Sequence, residues 1–343
     1  MRRPPVMRPP NTARPGESWS RNEGEAMSFD ELTSQVKTLW KFDYEPKIKA
    51  LRELYEVAKK QQWNAATDID WSLEIDRDGD ILDPRQNVMS QFDFVKALPD
   101  RTRKDLQIRL AAWRLSQFLH GEQGALLCCG QLVDVVPDTD GKLYAATQVV
   151  DEARHVEVFH RYITRLDRVY PIDPQLQAVL NAILAADTWQ KKCVGMQIIV
   201  ESLAMGSFKL MKEGSKDELL RKVVELTAQD EARHVSYGLI YMKDELPRMT
   251  DAARDDLEDF AFGAVSAVVG RGGSGGISTL NVLAEVGIDR EKALAEMREK
   301  FSDPAFRATQ PSPFRDYVMP QLEKLGIITE RTAPKYREIG LVA

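Results

Sequence analysis

The chain has 343 residues, with 47 Lys and Arg against 53 Asp and Glu and a formal net charge of -6. That is long enough to bury a sizeable core, but it lacks the basic excess that a polyanion-binding surface requires, so no nucleic-acid partner is expected. The three cysteines, Cys128, Cys129 and Cys193, form neither a CxxC pair nor an even-numbered framework and read as reduced core thiols of a cytoplasmic protein. No run approaches the ~20 apolar residues of a membrane span, so none is expected.

Residues 1–26 are rich in Pro, Arg, Asn, Gly and Ser and hold too little apolar material to offset the entropy of ordering, which predicts a disordered N-terminal extension. Residues 27–100 read as helical and loop additions. Within them Ile48, Leu51, Leu54, Tyr55 and Val57 predict a helix between Pro46 and Trp63. The run Asp76-Arg77-Asp78-Gly79-Asp80 lacks the twelfth-position glutamate of a calcium loop and reads as a solvated turn.

Residues 101–246 carry four long helical patterns: Arg101 to Cys129, Lys142 to Val169, Thr188 to Lys212 and Lys216 to Leu246. Pro137 to Gly141 separates the first two, Gly214-Ser215 the last two, and a shorter helix from Pro174 to Ala185 lies in the longer central connection. Two helical pairs joined by a crossover predict an all-α four-helix bundle. Residues 247–343 read as further helices, Asp251 to Val269 and about Leu280 to Phe301, with an irregular tail. The glycine-rich loop between them lacks the Gly-Lys-Ser/Thr of a phosphate cradle and reads as a connector.

The informative feature is an internal repeat. Asp151-Glu152-Ala153-Arg154-His155-Val156 recurs letter for letter as Asp230-Glu231-Ala232-Arg233-His234-Val235. In each copy Glu and His stand three apart, so their Cβ atoms lie ~5–6 Å apart on one helix face and can share an ion. Two such pairs are too few to hold and bridge two ions, so each remaining helix must add a carboxylate. Glu122 precedes Glu152 by the same 30 residues that separate Glu201 from Glu231. Glu201 sits among Met196, Ile198, Ile199, Val200, Leu203 and Met205, where an unpaired carboxylate is costly.

The expected ligands are therefore Glu122, Glu152, His155, Glu201, Glu231 and His234. Four carboxylates neutralise two divalent ions, and oxygen-rich ligation with one imidazole per ion suits iron or manganese over zinc. Asp151 and Asp230 are expected to accept the free N–H of the ligand imidazoles, with Arg154 and Arg233 balancing them. Leu126, Phe159, Ile198, Met205 and Phe208 stand about a turn or two from the ligands and are candidates for an apolar substrate pocket. His120 and His160 are turned away from the ligand face and read as polar residues that do not bind metal.

This pattern resembles the ferritin-like di-iron carboxylate superfamily, and in its D-E-x-R-H form the bacterial di-iron monooxygenase hydroxylases, related N-oxygenases and acyl-carrier desaturases. The resemblance implies a ferritin-like four-helix bundle with extra terminal helices. It also implies two iron ions, dioxygen as co-substrate, a separate electron donor (ferredoxin or flavin reductase), a homodimer, and hydroxylation or other oxygenation of a small apolar organic substrate. A desaturase or a non-catalytic iron-binding and iron-oxidising protein are the alternatives. Three positions depart from relatives. Phe159 stands where the ribonucleotide reductase small subunit has its radical tyrosine, Met205 where the hydroxylases have threonine, and Thr227 where the N-oxygenases have a third histidine.

Overall fold

The computed structural model describes residues 31–34, 36–77, 81, 87–269 and 276–342. The expected disordered extension over residues 1–26, part of the Asp-rich run and the glycine-rich connector lie outside them. The chain from Thr33 to Ala343 forms one unit. Its helices are α1 (Lys49–Lys60), α2 (Asp93–Lys96), α3 (Asp100–Val135), α4 (Thr139–Leu166), α5 (Pro174–Ala185), α6 (Trp189–Cys193), α7 (Glu201–Gly214), α8 (Glu218–Glu245), α9 (Asp251–Val269), α10 (Gly276–Glu285), α11 (Arg290–Ser302), α12 (Pro304–Thr309), α13 (Met319–Lys324) and α14 (Ala333–Glu338). No strand occurs among the described residues. The fold is all-α.

Helix α3 packs along α4 and α7 along α8, α4 meets α8, and α1 lies across both α4 and α8. Local chemistry sets the ends. Lys142 Nζ donates to Val133 O and Asp134 O, satisfying carbonyls at the end of α3 and tightening the α3–α4 turn. Asp173 caps α5 ahead of Pro174, and Asp217 caps α8 by accepting from Leu220 N at 2.6 Å. Asp140 accepts from Lys47 N, Ile48 N and Arg52 Nε, which ties the start of α1 to the first turn of α4.

A π-helical segment, Val194–Val200, joins α6 to α7, so Trp189–Gly214 runs as one helix with a widened middle just before Glu201. Such bulges concentrate at functional sites. This helix is, by length and composition, long and apolar enough to cross a membrane, contrary to the expectation that no run comes near. It is nonetheless a core helix of the bundle: Ile198, Ile199 and Phe208 are fully buried, and both its π segment and α7 pack on α8.

The expected helix from Leu280 to Phe301 is two, α10 and α11. Gly287 adopts φ 84° and Asp289 caps the new start, a break that apolar spacing alone does not reveal. The expected irregular tail contains α12, α13, α14 and a short π turn.

Two apolar clusters divide the bundle along its axis. One holds Leu132, Tyr144, Ile198, Tyr237 and Tyr241, the other Leu115, Phe159, Tyr162, Phe208 and Val224. On each of the four bundle helices the changeover falls at the glutamates of the expected ligand set.

Candidate metal centre

Between the two apolar clusters lie Glu122 from α3, Glu152 and His155 from α4, Glu201 from the start of α7, and Glu231 and His234 from α8, all buried. They form two overlapping groups, Glu122, Glu152, His155 and Glu231, and Glu152, Glu201, Glu231 and His234. Within each group the potential donor atoms lie within 4.8 Å of one another. His155 Nδ1 is 3.1 Å from Glu122 Oε2, 3.3 Å from Glu152 Oε2 and 3.3 Å from Glu231 Oε1. His234 Nδ1 is 3.1 Å from Glu152 Oε1, 3.1 Å from Glu231 Oε2 and 4.0 Å from Glu201 Oε2. Glu152 and Glu231 thus turn one oxygen to each histidine, as carboxylates bridging two ions would, while Glu122 faces His155 alone and Glu201 faces His234 alone.

The donor set passes a test of fit. Glu231 Oε1 is buried without a hydrogen-bond partner, a costly state that a cation would relieve. Burial and the surrounding carboxylates push the Glu231 and Glu122 carboxyls above their ordinary range, although His155 opposes the shift at Glu122. Burial alone would lower the two imidazoles, yet the facing carboxylates outweigh it and raise both, His234 to about 10. These shifts favour bound protons among the carboxylates and imidazoles, which a cation held there would displace.

Behind the imidazoles the repeat closes on itself. His155 Nε2 is 3.1 Å from Asp230 Oδ2 and His234 Nε2 is 3.2 Å from Asp151 Oδ2, so each aspartate serves the histidine of the other repeat. Arg154 and Arg233 each bond both aspartates, at 2.5 and 3.1 Å, which makes a buried ring of two cations and two anions. Burial would raise the Asp151 carboxyl, but His234, Arg233 and Arg154 hold it well below the usual carboxylate range. Ionised aspartates behind the rings fix Nδ1 toward the carboxylates.

The end of α1 completes this ring. Gln62 Nε2 donates to Asp151 Oδ1 at 2.9 Å, Trp63 Nε1 donates to Asp230 Oδ2 at 2.8 Å, and Gln61 Oε1 accepts from Arg233 at 2.9 Å. The Arg154 guanidinium lies over the Trp63 ring, 4.9 Å from its centroid. Sequence reasoning missed all three residues, as it missed Gln148, whose amide donates to Glu152 Oε1 at 3.0 Å and Glu201 Oε1 at 3.3 Å.

The five pocket candidates do not form one surface. Phe159 and Phe208 stack at 5.4 Å, and Phe118, which was not anticipated, meets Phe208 at 4.7 Å. Ile198 belongs to the opposite apolar cluster, against Gly238, and Leu126 and Met205 are only half-buried. Helical angle places all five near the ligands, but their height along the bundle separates them. His120 bonds Tyr170 O at 2.8 Å and His160 is exposed, so neither joins the centre.

The family model for P-aminobenzoate N-oxygenase AurF matches residues 45–326. The chain belongs to the AurF family. An uncharacterised protein of Mycobacterium tuberculosis (strain ATCC 25618 / H37Rv) is 23% identical over 220 residues, covering 60% of this chain and 64% of that protein. The match therefore spans just under two thirds of that relative. Among solved structures, an R2-like ligand-binding oxidase with aerobically reconstituted metal cofactor shares 18% identity and a TM-score of 0.49, over 81% of this chain and 93% of its own. A protein from Synechococcus with aldehyde deformylating oxidase activity shares 14% identity and a TM-score of 0.46, over 72% and 99%. Thr227 stands one turn before Glu231, and its hydroxyl donates to Val223 O at 3.0 Å, back onto its own helix.

Proposed function

We propose that this AurF-family chain is a non-haem di-iron oxygenase that uses dioxygen to oxygenate a small, largely apolar organic substrate. The observation that carries it is the convergence of Glu122, Glu152, His155, Glu201, Glu231 and His234 as two overlapping groups of buried donors. Glu152 and Glu231 would bridge the ions, Glu122 and His155 would complete one position, and Glu201 and His234 the other. Iron bound there would supply electrons to dioxygen and open positions beside the substrate. A heterometallic iron and manganese pair fits the same ligands.

The protein's own part is positioning and exclusion. The ring of Asp151, Asp230, Arg154 and Arg233 holds both imidazoles in one tautomer, and the apolar clusters on either side keep water from the carboxylates. Phe118, Phe159 and Phe208 form an aromatic wall one to two turns from the ligands, which suits a flat apolar substrate. The family description favours a nitrogen atom of an aromatic amine as the site of oxygenation.

Reducing equivalents have to come from outside the six ligands, so a ferredoxin or flavin reductase is the proposed partner. A homodimer in the cytoplasm is the proposed setting. It agrees with three buried free thiols, of which Cys128 is pushed up to about 12 by burial, which disfavours the reactive thiolate. Family membership favours this reading over acyl desaturation or iron storage.

The test is anaerobic reconstitution with ferrous iron, reduction, and exposure to oxygen with a panel of aromatic amines and apolar organics. Gain of one oxygen atom in the product supports the reading. Loss of two hydrogens, or turnover of many irons per chain without product, replaces it with one of the alternatives.

A further inference from the structure

The repeat that builds the centre is not symmetric one turn away from it. Four residues before Glu152 stands Gln148; four before Glu231 stands Thr227, whose hydroxyl is spent on Val223 O. Four before Glu201 is Gln197, whose amide donates to Cys129 Sγ at 3.6 Å, and four before Glu122 is Phe118, which has no donor. Gln148 is thus the amide placed on the carboxylates. It is fully buried, and its Nε2 lies 3.0 Å from Glu152 Oε1 and 3.3 Å from Glu201 Oε1. Its Oε1 has no partner, so contact with two acceptors fixes which way the amide points.

The consequence falls on Glu201. Its Oε2 is the oxygen turned to His234, at 4.0 Å, while Oε1 is engaged by Gln148. Glu122 faces His155 through Oε2 at 3.1 Å with Phe118 as its one-turn neighbour. Resting on the dimetal reading above, we propose that Gln148 is a positioning residue that holds Glu201 to one metal-facing oxygen and so keeps a coordination position open at the Glu201–His234 ion. A carboxylate oxygen has two lone pairs, so Glu152 Oε1, 3.0 Å from the same amide, can accept from it and still turn to His234, whereas Glu201 turns only Oε2 to His234 and the amide holds its Oε1 from closing around the same ion. The two positions would then be unequal, with small ligands such as dioxygen entering at the His234 side.

Nitric oxide on the anaerobic di-ferrous protein is a probe that needs no turnover. The parent protein is expected to bind two irons per chain and give the EPR signal of an iron–nitrosyl formed at one of them and coupled to its ferrous neighbour. Gln148→Met, matched in shape but without a donor, is expected to keep both irons and weaken nitric oxide binding by about tenfold, the scale of one hydrogen bond to a charged group. Gln148→Asn, one methylene shorter, should show the same loss, and Thr227→Val should leave the signal unchanged. Nitric oxide affinity equal to the parent in both Gln148 variants overturns the proposal, and so does loss of an iron in both, which would make Gln148 merely structural. Fewer than two irons in the parent overturns the dimetal reading itself, and this inference with it.

Discussion

Replacing Asp151 by alanine removes at one stroke its bonds to Arg154 at 2.5 Å, Gln62 at 2.9 Å, Arg233 at 3.1 Å and His234 at 3.2 Å, all at a fully buried position. The two arginines are then balanced by Asp230 alone. Breaking a buried ionic network by taking out one partner costs about 3–5 kcal/mol, chiefly because the surviving charge is left uncompensated. The metal centre feels a second effect. His234 loses the acceptor that orients its ring, and removal of such partners weakens metal binding by about 10–100-fold. That corresponds to about 1.4–2.7 kcal/mol of binding free energy. Urea unfolding of the metal-free protein measures the first effect, and ferrous titration against a competing chelator measures the second. Asp151→Asn keeps an acceptor for His234 and should fall between parent and alanine variant in both. A metal-free alanine variant within about 0.5 kcal/mol of the parent, the range of an ordinary surface substitution, would refute the reasoning.

Glu231 turns an oxygen to each histidine, so Glu231→Ala should reduce iron from two per chain to one or none, as read by metal analysis after desalting; full content would remove its bridging role. In Gly238→Ala the new methyl would meet Gln197 Cβ at 2.6 Å and Ile198 Cδ1 at 2.8 Å, which should cost about 1–3 kcal/mol by forcing α8 from the π segment, seen as a lower urea midpoint. Burial would raise the Asp140 carboxyl, but the Ile48 and Lys47 N–H groups and Arg52 hold it below its ordinary value. Its contribution is therefore present above the unfolded value near ~3.9 and is lost as pH falls through the lower folded value. Asp140→Asn should be less stable than the parent at neutral pH and lose less on acidification; equal loss in both proteins would assign the acid sensitivity elsewhere.

The metal-binding pattern was legible because its chemistry is local. Glu and His three apart on one helix need only a helix to meet, and the repetition of Asp-Glu-Ala-Arg-His gave the second half. Glu201 stood out as a charge in an apolar run. Gln62 and Trp63 gave no such signal: they bond aspartates 89 and 167 residues away, and nothing near them in the chain announces a partner. Gln148 was passed over because a glutamine on an amphipathic helix is ordinary until its neighbour is known to be Glu201.

Elements with a strong 3.6-residue pattern are placed well but not always to their ends: α5 and α9 match to the residue, whereas α3 runs on from the expected Cys129 to Val135 and α4 spans Thr139–Leu166 where Lys142 to Val169 is expected. The π segment was invisible because Val194 to Val200 is apolar nearly throughout, and widening one turn leaves such a run looking unchanged. The pocket candidates are divided between regions for a related reason. A helical wheel gives the angle around an axis and not the height along it, so Ile198 and Phe208 were grouped although Glu201 lies between them.

Iron content after anaerobic reconstitution, followed by Mössbauer spectroscopy of the oxidised protein, tests the central claim most directly. Two irons per chain in a coupled pair, collapsing when Glu152 is replaced by alanine, is the predicted result. Iron that binds singly, or that stays paired without Glu152, would contradict it.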